Sequence, residues 1–287
     1  MKCSAISLTR KGRNLDRYFI DEIRNIFAVL DGTTSGGEFS ELFVDWFLEL
    51  LKERIGRMTD PPYYYTQEKA TFLRRMVKEA NEELPKRLSR HYGDRVNPAA
   101  FGAGSTIALV HLSHFMASNW IVVNSGDSQV LLIRDKKVLQ LSYDDTQFNQ
   151  WVEDGLVVVI NGKPQYRRRG DIVDFGIIKV SSLEVSRSID RMIRWVGNGT
   201  EPHIRIEPAK PGDILIIWTD GAKNLVDHYL TRKDRPYSVY EKKLAQAAIA
   251  VAKGKVEHLL AATPFWDTYN PGMVLGDDST ILTIYDE

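Results

Sequence analysis

The stretch Phe27 to Phe47, FAVLDGTTSGGEFSELFVDWF, changes character in its middle. The apolar run Phe27-Ala28-Val29-Leu30 ends on Asp31-Gly32, and the pair Gly36-Gly37 then gives way to a helical pattern. Apolar residues at 39, 42, 43, 46, 47, 50, 51 and 55 share one face at 3.6-residue spacing, which predicts a helix from about Gly36 to Ile55. Ser35 and Glu38 have the spacing of a capping box at its start. The strand poses the problem, because a run apolar enough to be buried ends on a carboxylate.

That ending recurs. IVVNSGDS at 121–128 and ILIIWTDG at 214–221 also run from apolar residues into an aspartate beside a glycine, and TILTIY at 280–285 begins just after Gly276-Asp277-Asp278-Ser279. Burying a bare carboxylate costs several kcal/mol, so an aspartate against a core strand has to be solvated, paired or metal-bound. One such site alone reads as a turn, since Asp-Gly is a favoured turn dipeptide. Their repetition points to hard divalent cations such as magnesium and manganese, which take oxygen ligands and few protein carboxylates. Two such ions about 4 Å apart polarise a phosphoryl group and generate a hydroxide nucleophile. A glycine after the aspartate lets its own carbonyl approach a metal closely.

Elsewhere, short β-branched runs at Phe27–Leu30, Trp120–Val123, Val130–Ile133, Ile214–Trp218 and Thr280–Tyr285 predict strands. A second amphipathic helix fits Gln67 to about His91, kinked or divided at Pro85, and a third fits about Val239 to Lys253. Trp120–Asn124 and Gln129–Arg134 are separated only by Ser-Gly-Asp-Ser, which reads as a hairpin. The fold class expected is an α+β layered sandwich, two mostly antiparallel sheets face to face with helices on both outer sides. Residues 1–287 read as a single domain, with an irregular, flap-like insertion at about 145–190 where periodicity is weakest.

Composition narrows the function classes. Lys plus Arg equals Asp plus Glu, 38 each, so no global positive field gathers nucleic acid or an anionic membrane. No segment approaches the roughly 20 apolar residues of a membrane span, and the N-terminal residues do not read as a signal peptide. Cys3 is the only cysteine; it can form no intrachain disulfide, and its spacing from Arg10 does not suit a cysteine-dependent phosphatase. A cytoplasmic, monomeric protein is expected.

In order along nearly the whole chain, six segments resemble the metal-dependent serine/threonine phosphatases of the protein phosphatase 2C type. They are Arg13-Asn14-Leu15-Asp16-Arg17-Tyr18-Phe19, FAVLDG, Gly104-Ser105-Thr106, NSGDSQVLLIRDKKVLQLSYDD at 124–145, PGDILIIWTDGAKNLVD at 211–227, and GDDSTILTI at 276–284. The resemblance implies that two manganese or magnesium ions are bridged by Asp31, with the Gly32 carbonyl on one of them. Asp220 and Asp277 would complete one ion's sphere, and Asp127 with Asp220 would form a third, weaker site. Asp16 would orient bound water, and Arg13 or Arg10 would hold the substrate phosphate, with Arg13 slightly favoured. It further implies hydrolysis of phosphoserine or phosphothreonine in a protein substrate by a metal-activated water, with no covalent intermediate.

Three departures stand out. Leu15 replaces a common acidic residue, Thr33-Thr34 replaces His-Gly or Met-Gly and removes a histidine acid, and Asp278 replaces a common asparagine. Leaving-group protonation would then fall to a metal-bound water. Leu15 and Thr33 motivate an alternative, a catalytically dead regulatory or binding domain, against which retention of Asp31, Asp220 and Asp277 weighs. Another alternative is a two-metal hydrolase of small phosphoesters. GAGST at 102–106 lacks the lysine of a phosphate-binding loop and reads as the start of a strand. His111 and His114 alternate as in a strand rather than forming a zinc motif. Arg167 to Arg169 read as a solvated loop.

Overall fold

A computed structural model describes residues 1–8, 14–33, 38–58, 65–93, 103–114, 117–135, 137–145, 157–160, 163–168, 171–174, 201–222 and 278–285. One sheet contains, in spatial order, β1 (Lys2–Leu8), β13 (Ser279–Tyr285), β12 (Ile214–Trp218), β6 (Gln129–Arg134) and β7 (Lys137–Gln140). The other contains β11 (His203–Pro208), β5 (Asn119–Ser125), β4 (Ser105–Ser113), β3 (Ile26–Gly32) and β2 (Arg17–Asp21). Every pairing in both sheets is antiparallel. With the helices α1 (Glu38–Gly56) and α2 (Thr66–Tyr92), both packed on the outer face of the second sheet, they make the α+β sandwich of two antiparallel sheets that the sequence predicts.

Strand β3 is apolar from Ile26 to Leu30 and covered on both faces. Ile26, Ala28 and Leu30 join Phe43, Phe47, Leu51 and Leu73 in a core between the second sheet and the two helices. Phe27 and Val29, of opposite parity, join Val110, Val122, Val130, Ile217 and Leu282 between the sheets. The helical stripe behaves as its spacing dictates, with Phe43, Phe47, Leu51 and Ile55 buried on α1. Among the described residues no helix is long and apolar enough to cross a membrane.

Three sequence readings change. Trp120–Asn124 and Gln129–Arg134 are not partners in a hairpin: β5 pairs with β4 and β11, whereas β6 pairs with β12 and β7. The Ser-Gly-Asp-Ser segment is instead a corner that carries the chain from one sheet to the other, with Gly126 at φ +96°. Helix α2 runs undivided through position 85. Within 145–190, read as irregular, β8 (Val157–Ile160), β9 (Lys163–Arg168) and β10 (Asp171–Asp174) form a three-stranded antiparallel sheet, with Arg167 and Arg168 on β9. Ser35, Arg169 and the helix expected at 239–253 lie outside the described residues. GAGST leads into β4 as expected, and His111 lies buried on that strand, its Nδ1 3.2 Å from the Asn25 carbonyl oxygen.

An ion-pair latch joins the sheets at the end away from the Ser-Gly-Asp-Ser corner. Asp213, 3% exposed, accepts from Trp120 Nε1 at 2.9 Å, from Arg134 Nε and Nη2 at 2.8 Å each, and from the Lys210 N–H at 2.9 Å. Arg134 also donates to Glu207 at 2.9 Å. Burial alone would raise the Asp213 carboxyl, but Arg134 and the other donors outweigh it and hold it below its ordinary value. Asp213→Asn is expected to lose about 3 kcal/mol of stability at pH 7, because Arg134 is left without its main counter-charge. A carboxyl held low contributes stability above its unfolded pKa and loses it as pH falls through the folded value. Urea unfolding should therefore show the gap between wild type and variant closing as pH falls below 4.

Candidate functional site

The aspartate-bearing strand ends meet because antiparallel register brings them to one end of the sandwich. Asp31 is opposite Thr106, and Trp218 is opposite both Gln129 and Ile281. Thr106 Oγ1 and Ser128 Oγ lie 2.5 Å apart, which fastens the corner containing Asp127 beside Asp31's partner strand. Trp218 Nε1 donates to Gln129 Oε1 at 3.0 Å, tying the same corner to the strand that leads into Asp220.

Asp31, 8% exposed, keeps the parity of Phe27 and Val29 and so falls on the inter-sheet face. Gly32 falls on the helix face. A Cβ there would lie 2.9 Å from Val44 Cγ2 and 3.0 Å from Leu15 Cβ, so only glycine lets α1 and the Leu15 segment close on β3. The Gly32 N–H donates to the Leu15 carbonyl at 3.2 Å, and the Leu15 N–H donates to Asp278 Oδ2 at 2.7 Å. The apolar side chain at 15 therefore leaves intact a backbone that braces two acidic positions. Arg17 secures this segment by donating to the carbonyls of Asn14 and Asp16 while its Nε pairs with Asp45 at 2.7 Å.

Asp16 is 2% exposed and is held by hydroxyls. Its Oδ2 accepts from Thr219 Oγ1 at 2.9 Å, and Thr219 Oγ1 accepts from the Thr280 N–H at 3.0 Å. Thr280 Oγ1 lies 2.7 Å from Ser7 Oγ, which accepts from Asn14 Nδ2 at 2.8 Å. Asn14 Oδ1 closes the circuit by accepting the Asp16 N–H at 2.8 Å. Burial pushes the Asp16 carboxyl up to about 7, and the Asp278 carboxylate adds to the rise; contacts with Thr219, Thr280 and Asp31 oppose it.

Two buried oxygens, Asp16 Oδ1 and Asp220 Oδ1, accept no hydrogen bond among the described residues. Asp220 directly follows β12 and Thr219, and Gly221 abuts the start of β13: a Cβ on Gly221 would lie 2.0 Å from the Asp278 carbonyl oxygen. An acidic, all-oxygen cluster with unsatisfied buried acceptors fits hard divalent cations. Among the described residues no three Asp, Glu, His or Cys side chains are gathered tightly enough to hold an ion by themselves. Asp277, like Arg13 and Arg10, lies outside the described residues. The structure thus brings Asp16, Asp31, Gly32 and Asp220 to one end of the sandwich, with Asp127 half-buried on the adjoining corner. Thr219, Thr280 and Gly221 were missed as contributors; the threonines read as ordinary strand residues, and only the glycine's place in Thr-Asp-Gly hinted at its packing role.

Two measurements follow. A carboxyl raised on folding contributes stability below its unfolded pKa and loses it as pH rises through the folded value. In metal-free protein, Asp16→Asn should therefore stabilise by little at pH 4–5 and by up to about 4 kcal/mol at pH 8, seen in thermal unfolding. Gly221→Ala should destabilise by about 2 kcal/mol or more, since a backbone carbonyl has to move. Gly56→Ala, with nothing within 4 Å of its Cβ, should be neutral or gain about 0.5–1 kcal/mol.

No family model matches the chain, and no curated protein matches it by sequence. Solved structures do match in shape. The serine/threonine phosphatase PstP/Ppp of Mycobacterium tuberculosis superposes with a TM-score of 0.60 at 16% identity, covering 100% of this chain and 99% of that one. The S. agalactiae serine/threonine phosphatase gives 0.62 at 17% identity, covering 100% and 99%. The catalytic domain of PstP in complex with two manganese ions gives 0.57 at 16%, covering 99% and 98%. The chain has the fold of the PPM serine/threonine phosphatases.

Proposed function

We propose that this chain is a metal-dependent phosphatase that hydrolyses phosphoserine and phosphothreonine in proteins. The observation that supports it is the gathering of strand-end carboxylates, two of them with unsatisfied buried oxygens, at one end of a phosphatase-fold sandwich. Asp31, Asp220 and the Gly32 carbonyl would hold two manganese or magnesium ions, with Asp277 as a further ligand and Asp127 contributing to a third site. Such ions, when bound, supply Lewis-acid polarisation of the phosphoryl oxygens and acidify a water enough to serve as nucleophile at neutral pH.

The chain's own groups do the rest. Asp16, its Oδ2 fixed by Thr219, presents Oδ1 to align the hydrogens of the attacking water for displacement in line with the departing oxygen. Arg13 would bind the phosphate, its planar fork matching two phosphoryl oxygens. Position 33 offers no titratable acid; Thr33 Oγ1 lies 3.1 Å from Ser40 Oγ and 3.4 Å from the Gly104 carbonyl oxygen, so the leaving alkoxide takes its proton from water. The closed circuit around Asp16 favours an active enzyme over a dead binding domain, since a mere scaffold gains nothing from a buried, unsatisfied carboxylate oxygen. The chain acts as a single-domain monomer in the cytoplasm.

Purified protein should release phosphate from a phosphothreonine peptide and from p-nitrophenyl phosphate with manganese and not with chelator. Asp31→Asn and Asp220→Ala should each lower kcat/KM by about 100-fold or more. Silence of the wild type on both substrates in every metal condition would overturn the proposal, and turnover of the small ester alone would favour the small-phosphoester reading.

A further inference from the structure

The Ser125-Gly126-Asp127-Ser128 corner is gripped from outside by residues that the proposed chemistry does not use. Asp145, 1% exposed, accepts the Gly126 N–H on Oδ2 at 2.9 Å, and its own N–H donates to the Gly126 carbonyl at 3.0 Å. Asp145 Oδ1 lies 2.8 Å from His203 Nε2. The carboxylate can only accept, so the imidazole is the donor. His203 starts β11, opposite Asn124 in the β5 register, and its ring lies 4.5 Å from that of Tyr143. Asn124 in turn holds the Tyr143 backbone through both ends of its amide, at 2.6 and 3.0 Å.

The physical logic runs from burial to aim. A carboxylate this deep needs a donor on each oxygen, and Gly126 and His203 supply one each. Gly126 sits at φ +96°, a backbone state whose carbonyl and N–H are both fixed by the one residue Asp145. The next residue is Asp127, so that grip fixes the backbone immediately before it. We propose that His203 and Asp145 are positioning residues that orient Asp127 toward a third, weaker divalent-cation site, an assignment that rests on the metal-centre reading above. Residues that hold a ligand in place in this way change metal affinity without touching the metal.

The test is manganese binding to the full chain, followed by isothermal titration calorimetry and by electron paramagnetic resonance of bound Mn2+, with thermal unfolding as a check on folding. The wild-type isotherm should contain a weak component that Asp127→Ala removes. His203→Phe, which keeps a ring against Tyr143 but cannot donate, should weaken that same component by about 10–100-fold and leave the tighter binding in place. His203→Gln, whose amide N–H can reach Asp145, should keep it near the wild-type affinity. If His203→Phe does not fold, Asp145→Asn carries the same expectation of a weakened component. A purely structural role for the ring predicts the reverse order, Phe tolerated and Gln impaired. That order overturns the clamp, as does a weak component unchanged in His203→Phe, or a wild-type isotherm with no component that depends on Asp127. Tight binding lost in Asp220→Ala but untouched by His203 variants would leave the metal centre standing and sink the clamp alone; no manganese binding at all would sink both.

Discussion

Like charges do not gather in an apolar interior unless something holds them there, and the organisation of this molecule follows from that constraint. Asp31, Asp220 and Asp278 sit at the ends of strands that are almost wholly buried, and the buried Asp16 immediately precedes β2. Two of them accept from uncharged donors, Asp16 from the Thr219 hydroxyl and Asp278 from the Leu15 N–H. Uncharged donors of this kind fix a carboxylate's direction without neutralising its charge. The contrast with Asp213 at the other end is plain, since there Arg134 supplies a full internal counter-charge.

Close approach is the second requirement of such a site, and glycine provides it. Gly32 admits α1 and Leu15 to the end of β3, while Gly221 admits the Asp278 backbone to the end of β12. In both cases a methyl group would push these elements apart. On the proposed reading the Asp-Gly pairs unite chemistry and packing: the carboxylate would serve the metals, and the missing side chain lets the neighbouring chain come close.

Much of this was legible from residues alone. The two-faced burial of β3 follows from an unbroken apolar run, and the α1 stripe from its 3.6 spacing. The aspartates at strand ends were visible as a repeated ending. The Ser-Gly-Asp-Ser segment was misread because a short connection specifies proximity of its flanks but not which sheet each joins; that choice is made with partners that include β11 and β12, far away in sequence. Pro85 suggested a divided helix, yet the packing of Leu84 and Leu88 against the core carries α2 through it. The hydroxyl circuit of Ser7, Thr219 and Thr280 was invisible, since nothing in an isolated threonine distinguishes a strand former from a donor to a carboxylate 203 residues away. His203 and Asp145 met only through the β11–β5 register.

The pairing of β1 with β13, in register from Lys2 opposite Tyr285 to Leu8 opposite Ser279, has a consequence for biosynthesis. Thr280 and Asp278 emerge from the ribosome long after Asn14, Leu15 and Asp16, the residues they brace. Until the chain has been made to about residue 285, β1 has no partner and the Asp16 circuit has no closing hydroxyl. Domains made on the ribosome order themselves from the N-terminal side, but here β1 and the Asp16 circuit wait on β13, more than 260 residues further along the chain. A growing chain cannot assemble the acidic end of the sandwich early, so competence arrives in a single late step.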